Sequence, residues 1–306
     1  MHDPFCYIEM KPSEFLNEAI MSETTFIIVE GVDDVPVYER LVESIEKKII
    51  IVDIKNITNS EGCSGVKDFI LDVNTTPFHD SISKHILGVI DRDIKPYRNE
   101  VINNVNNIIM LNYYSMESHF LSLKSVDYMI KNITRAGNLL NEYTLNLIYE
   151  KAIDEVVDFI FYPSLEALKN GCVENYKSLV GYKMSIEQII NMDSTLLEHK
   201  KDELDLFSKE KGINKNFDSI LLMSKGKWIL KLFCMNVVNL TDELHRMCKD
   251  GEILKCQYCT NKHENDCQYK KIKIGTIDVI VNDVLRRSSL VNLEYVLDEI
   301  KALVVH

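Results

Sequence analysis

The sequence predicts an α/β fold, a doubly wound parallel sheet in residues 1–125 followed by a mainly helical half in residues 126–306. Three observations predict it. Thr25–Val29 (TFIIV) and Ile86–Ile90 (ILGVI) are short, unbroken apolar runs, the mark of strands buried on both faces of a parallel sheet. Such runs alternate with helix-period segments as far as about residue 125. Beyond that point only helical periods remain.

Taken in order, residues 1 to 24 hold a short aromatic segment and a helix over Ser13–Met21, introduced by Pro12. The first strand stops at Glu30-Gly31, with Gly31 expected to let the backbone turn tightly beneath Glu30. A helix follows over Asp34–Lys47, carrying apolar positions at Val35, Leu41, Val42 and Ile45. Ile49–Ile54 is a second buried strand, and the loop after it carries Gly62 and Gly65 ahead of a helix over Val66–Val73. The third strand stops at Asp91-Arg92-Asp93. Ile108–Leu111 is the fourth, with Glu117 near the start of a helix running through Leu123. The second half reads as helices over Leu139–Phe161, Ile186–Lys211, Lys225–Val238, Ile277–Arg287 and Leu290–Leu303.

Composition narrows the function. The 306 residues include 47 acidic and 35 basic side chains, a net charge of −12. Proteins that coat nucleic acid through its phosphates are basic, so any polynucleotide contact here must be local and assisted by metal. The pattern G-x4-G-K-[ST] is absent, which excludes a P-loop ATPase. No apolar run approaches the roughly eighteen residues that a membrane span needs, and a cytoplasmic location is expected. The eight cysteines are then expected to be thiols or metal ligands and not disulfides.

Function in an open α/β sheet sits at the carboxyl ends of the strands. Glu30, Asp91 and Asp93 all fall there, and three crowded carboxylates call for a hard divalent cation, Mg²⁺ or Mn²⁺. Singly, each motif reads as a helix-start acid or a strand-terminating turn. Jointly they read as a site. Glu117 is a further metal ligand or supporting group, or else a capping glutamate. Asp33 and Asp34 read as N-cap and first-turn acids. A phosphoacceptor receiver domain would use Asp33, Asp34 and Asp91, but it needs neither Glu30-Gly31 nor Asp93.

These residues carry a resemblance. Strand-Glu30-Gly31-helix followed by strand-Asp91-x-Asp93 resembles the TOPRIM domain of topoisomerases, bacterial primases and OLD-type nucleases. Tyr113–Leu121 (YYSMESHFL) resembles a segment of the TOPRIM-like DUF4435 group, which includes the nuclease subunit of the PARIS anti-phage systems. The resemblance implies a Mg²⁺-dependent nuclease with Asp91 and Asp93 as metal ligands and Glu30 as ligand or general acid/base. It further implies an RNA substrate such as tRNA, a restraining ATPase partner and a homodimer. The alternatives are a DNA endonuclease of the OLD type and a catalytically silent adaptor. A topoisomerase would also need a nucleophilic tyrosine in a separate DNA-binding domain.

A second cluster, Cys256-x2-Cys259-x3-His263-x3-Cys267, places four soft or borderline ligands in a segment too polar to make a core. Zinc would be the natural way to fold it, with Cys248 or His245 able to replace a ligand; the alternative is a loop of free thiols. Lys255, Lys262, Lys270, Lys271 and Lys273 surround the cluster, as a nucleic-acid contact or as a solvated charged loop. Lys227, in Lys225–Trp228 (KGKW), resembles a glycine-lysine segment of the DUF4435 group that would approach a phosphate. An exposed helix-start lysine is the other reading.

Overall fold

A computed structural model describes residues 11–76, 82–100, 105–272 and 275–304. The aromatic segment expected in residues 1–10, and Lys273, lie outside them. The elements in order are α1 (Pro12–Met21), β1 (Thr25–Val29), α2 (Val35–Val42), β2 (Ile49–Asp53), α3 (Gly62–Asn74), α4 (Ile82–His85), β3 (Ile86–Ile90) and β4 (Ile108–Met110). After these come α5 (Leu123–Ile133), α6 (Glu142–Cys172), α7 (Ile186–Ile190), α8 (Ser194–Glu198), α9 (Lys201–Glu210) and α10 (Phe217–Met223). The last are α11 (Gly226–Thr241), α12 (Glu243–Asp250), α13 (Gln257–Thr260), α14 (Ile277–Arg287) and α15 (Glu294–Val304).

The four strands form one all-parallel sheet in the order β2-β1-β3-β4. Every residue of β1 and β3 is buried, as the unbroken apolar runs require. Successive side chains point to opposite faces. Phe26, Ile28, Ile86 and Ile90 join a core with Phe15 and Leu16 of α1 and Val66, Phe69, Ile70 and Val73 of α3. Ile27, Val29, Leu87 and Val89, on the other face, are also buried. The chain runs from β1 outward to β2, then returns to β3 on the other side of β1. The β1/β3 junction is therefore a topological switch point, where open α/β sheets place their ligands.

Gly88 is what allows α3 to lie close on β3. A Cβ built there would stand 2.9 Å from Val66 Cγ1 and 3.2 Å from Ile70 Cγ1.

Two compact units result, Met1–Met116 with Leu290–His306, and Glu117–Ser289. Sequence reading placed one boundary at 125/126 and gave the last helix to the helical half. Instead α15 packs on α2 and α4 of the sheet unit, and the Asn112 N–H donates to Tyr295 Oη at 2.8 Å.

Several helices differ from expectation for local reasons. α2 ends at Val42, and by Lys48 the chain is already in the sheet, its carbonyl accepting the Thr25 N–H at 3.0 Å. α6 passes through Pro163 and continues to Cys172; Pro163 lacks an N–H, but the remaining ladder and a buried flank carry the helix across it. The segment Ile186–Lys211 is three helices because capping residues restart it. Ser185 forms a capping box with Gln188, and Asp193 Oδ1 accepts the Thr195 N–H at 3.0 Å. The second unit is built on α6 and α11, with Trp228 buried and donating from Nε1 to the Met184 carbonyl at 2.9 Å. Glu166 is fully buried there and satisfied by Tyr176 Oη at 2.6 Å, the Leu179 N–H at 2.7 Å and Lys200 Nζ at 2.7 Å. Among the described residues no helix is long and apolar enough to cross a membrane.

Gly88→Ala should lower stability by about 1–3 kcal/mol, the usual cost of overpacking a tight core contact. Urea denaturation followed by circular dichroism measures it, and unchanged stability would show that α3 can shift away from β3.

Candidate metal and carboxylate sites

The carboxylate crevice is built by the ends of β1 and β3. Glu30 follows β1 directly, and its Oε1 accepts the Asp91 N–H at 2.8 Å, tying the two strand ends together. It also accepts from the backbone N–H of Cys63, in the first turn of α3. The glycine that permits this is Gly62, at φ +65°, where an added Cβ would lie 3.8 Å from Glu30 Oε2. Gly31, expected to supply the tight turn, is not left-handed; its N–H donates to Asp34 Oδ2 at 3.1 Å. Asp34 stands at the N-cap position of α2, yet its side chain makes no cap hydrogen bond to that helix.

Burial is the largest influence on Glu30 and pushes its pKa up to about 7. The Asp91 amide opposes this, the Asp93 carboxylate reinforces it, and Lys95 and the Cys63 amide oppose it. Asp91 Oδ1 accepts the Met116 N–H at 3.2 Å. Asp93 adopts φ +50°, its N–H donates to the Tyr114 carbonyl at 2.9 Å, and its Oδ2 accepts from Lys95 Nζ at 2.9 Å. The structure thus brings Glu30, Asp91 and Asp93 to one edge of the sheet. Their oxygens suit a hard cation in kind. Even so, among the described residues the carboxylates do not gather into a group of three close ligand atoms; only a cluster of cysteines does.

Four participants escaped sequence reading. Lys95 and Cys63 face the carboxylates, and the buried Tyr38 lies within electrostatic reach of Glu30, Asp91 and Tyr295. Burial is the main cause raising the Tyr38 hydroxyl well above its usual pKa and the Tyr295 hydroxyl to about 12, so both stay protonated, and Tyr295 Oη accepts the Asn112 N–H. Lys95, two residues past Asp93, could have been found from its spacing alone. Tyr295 could not, because only the fold returns α15 to this edge. Glu117 begins the second unit. It is 7% exposed, and within that unit it is close enough to Lys225 to influence its charge.

The cysteine cluster consists of Cys248, Cys256, Cys259 and Cys267, all buried, with every sulfur within 4.8 Å of the others. Four such thiols could hold a metal ion. His263, expected as a ligand, is exposed and outside the group, and Cys248 at the end of α12 takes its place. The Cys256 and Cys267 sulfurs are 3.8 Å apart. That equals the edge of about 3.8 Å of a tetrahedron with metal–sulfur bonds of about 2.3 Å. The Cys256 sulfur accepts the Cys259 N–H at 3.4 Å, and the Cys248 sulfur accepts the Cys256 N–H at 3.3 Å. Pairing of Ile133 and Arg135 with Gln268 and Ile272 anchors the segment, as does Tyr269 Oη, which donates to the Leu139 and Leu254 carbonyls.

Of the expected basic patch, Lys270 and Lys271 are engaged within the fold, while Lys255 and Lys262 are exposed. Lys270 Nζ donates to the Asn265 carbonyl at 2.9 Å, and Lys271 Nζ holds the Val238 carbonyl at 2.8 Å and Asp242 at 2.6 Å. Lys227 and Lys255 are exposed. No protein-family model matches the chain, and no curated protein matches it at a significant level.

Gly62→Ala should cost about 1–2 kcal/mol, the penalty for a side chain in the left-handed region. Thermal or urea denaturation checks it; no loss would show that the α3 start, and with it the Cys63 amide facing Glu30, can relax.

Proposed function

We propose that this chain is a metal-dependent nuclease of the TOPRIM-like kind that hydrolyses phosphodiester bonds. The observation that carries the reading is the convergence of Glu30, Asp91 and Asp93 on the carboxyl edge of the sheet at the β1/β3 switch point. Asp91 and Asp93 would hold Mg²⁺ or Mn²⁺, which supplies neutralisation of charge on the reacting phosphate oxygens. Glu30 would serve as a ligand or as the group that moves a proton to or from the attacking water or leaving oxygen. An RNA substrate such as tRNA, a role in phage defence, a restraining ATPase partner and a homodimer rest on the resemblance of the motifs alone. One observation favours a silent adaptor instead: the carboxylates are not gathered into a close set, and one of them is already paired with a lysine.

The four-cysteine cluster would bind a structural zinc ion. All four positions are filled by buried protein sulfurs, which suits a closed site and leaves no position for substrate.

The wild type should be toxic when expressed alone, and Glu30→Ala should reduce cleavage by about 10²-fold or more. Resolving RNA from induced cells on a denaturing gel decides it. New tRNA fragments with wild type alone support the reading, whereas intact tRNA beside nicked DNA moves it to an OLD-type endonuclease. Equal growth and no cleavage by either protein, with an ATPase partner absent or present, favours the adaptor.

Elemental analysis of the purified chain should find close to one zinc per molecule. Cys248→Ser should lose it and His263→Ala should keep it. The opposite pattern would restore His263 as the ligand, and a zinc-free wild type would make the four groups ordinary thiols.

A further inference from the structure

Among the described residues, Lys95 is a cation in direct contact with the ends of the carboxylate motif that neither motif explains. Its side chain is only 14% exposed, while that of Asp93 is 38% exposed. An enclosed ammonium has three protons to place, and each that lacks an acceptor is costly. Two of them have oxygen partners: Lys95 Nζ donates to the Asp91 carbonyl at 2.7 Å and to Asp93 Oδ2 at 2.9 Å. The Cys63 thiol is close enough to interact with the same ammonium. Glu30 is also close enough to feel its charge. One protein cation therefore contacts or influences the ends of β1 and β3 and the start of α3 together.

We infer that Lys95 is the resident cation of this crevice, neutralising Asp93 in advance, so that a divalent ion binds there in competition with its ammonium. The inference rests on the metal-dependent reading proposed above. It accounts for why the carboxylates do not stand as a close, ready-made ligand group: one of them is directed to an internal partner. A divalent ion held by the Asp93 carboxylate would compete with the Lys95 ammonium for its charge. The ammonium, on a flexible four-carbon stem, would then be a point charge available beside the bound phosphate. Lys95 is thus a positioning residue that sets how tightly the cation is held.

The bland alternative is a latch that merely fixes the turn after β3. The two differ in metal affinity, which a latch would not change. Mn²⁺ binding to the zinc-replete full chain can be followed by electron paramagnetic resonance for wild type, Lys95→Met and Lys95→Arg, with circular dichroism confirming the fold. Lys95→Met should bind Mn²⁺ about tenfold more tightly because a competing charge in direct contact is gone. Lys95→Arg should stay close to wild type, and adding Asp93→Asn to Lys95→Met should cancel the gain. If Lys95→Met fails to fold, Lys95→Gln, which keeps a donor for the Asp91 carbonyl, takes its place. Equal affinity in wild type, Lys95→Met and Lys95→Arg, with weaker binding when Asp93→Asn is added, overturns the inference and leaves the metal reading standing. Absence of Mn²⁺ binding in every chain overturns both.

Discussion

The hydrogen bond from the Asp91 amide to the Glu30 carboxylate is the interaction on which the carboxylate edge depends. Parallel pairing brings β1 and β3 side by side, but it does not fix how their trailing residues turn. Glu30 does that, by taking one amide from the strand beside it and another from the start of α3. Its position carries a burial penalty, seen in a pKa raised to about 7. The Lys95 charge partly offsets that penalty. A carboxylate held this way is fixed in place and titrates near neutral pH, as groups at reactive sites do.

The second unit solves a different problem. Between Gly251 and Ile272 few large apolar side chains are buried apart from Ile253 and Tyr269, so hydrophobic burial alone offers little. Four convergent sulfurs and a short backbone pairing to Ile133 and Arg135 stand in for a core. With a metal bound, the sulfurs would be joined through strong bonds, and the segment's folding would be linked to metal supply.

How far the sequence discloses this arrangement depends on range. β1 and β3 match their apolar runs residue for residue, because a doubly buried strand has no other local signature. The positions of Glu30, Asp91 and Asp93 were legible for the same reason, since Glu30 and Asp91 directly follow β1 and β3 and Asp93 is two residues further on. The helical half was less legible. A charged stretch such as Ile186–Lys211 keeps its helical period through two interruptions, and only the Asp193 and Ser185 caps show where the helices restart. The cysteine cluster was legible in part: spacing favoured His263, with Cys248 only as a substitute, because spacing favours near neighbours. Cys248 is eight residues before Cys256, at the end of a helix whose position only the fold determines. Tyr38 and Tyr295 are the extreme case, placed on the same edge by elements at opposite ends of the chain.

The discontinuity of the sheet unit has a consequence for synthesis. Its sheet is complete by Met110, yet Tyr295, Val296 and Ile300 are supplied from α15, after the whole of the second unit has been made. A chain emerging from the ribosome would therefore fold its inserted helical unit while the host sheet still lacks its last helix. Apolar surface of α2 and α4 that α15 covers would stay exposed until the final segment arrives. Contacts separated by so much sequence form late, because the intervening loop must first be closed. The carboxylate edge, which includes the Asn112–Tyr295 hydrogen bond, would thus be among the last parts of the molecule to be finished.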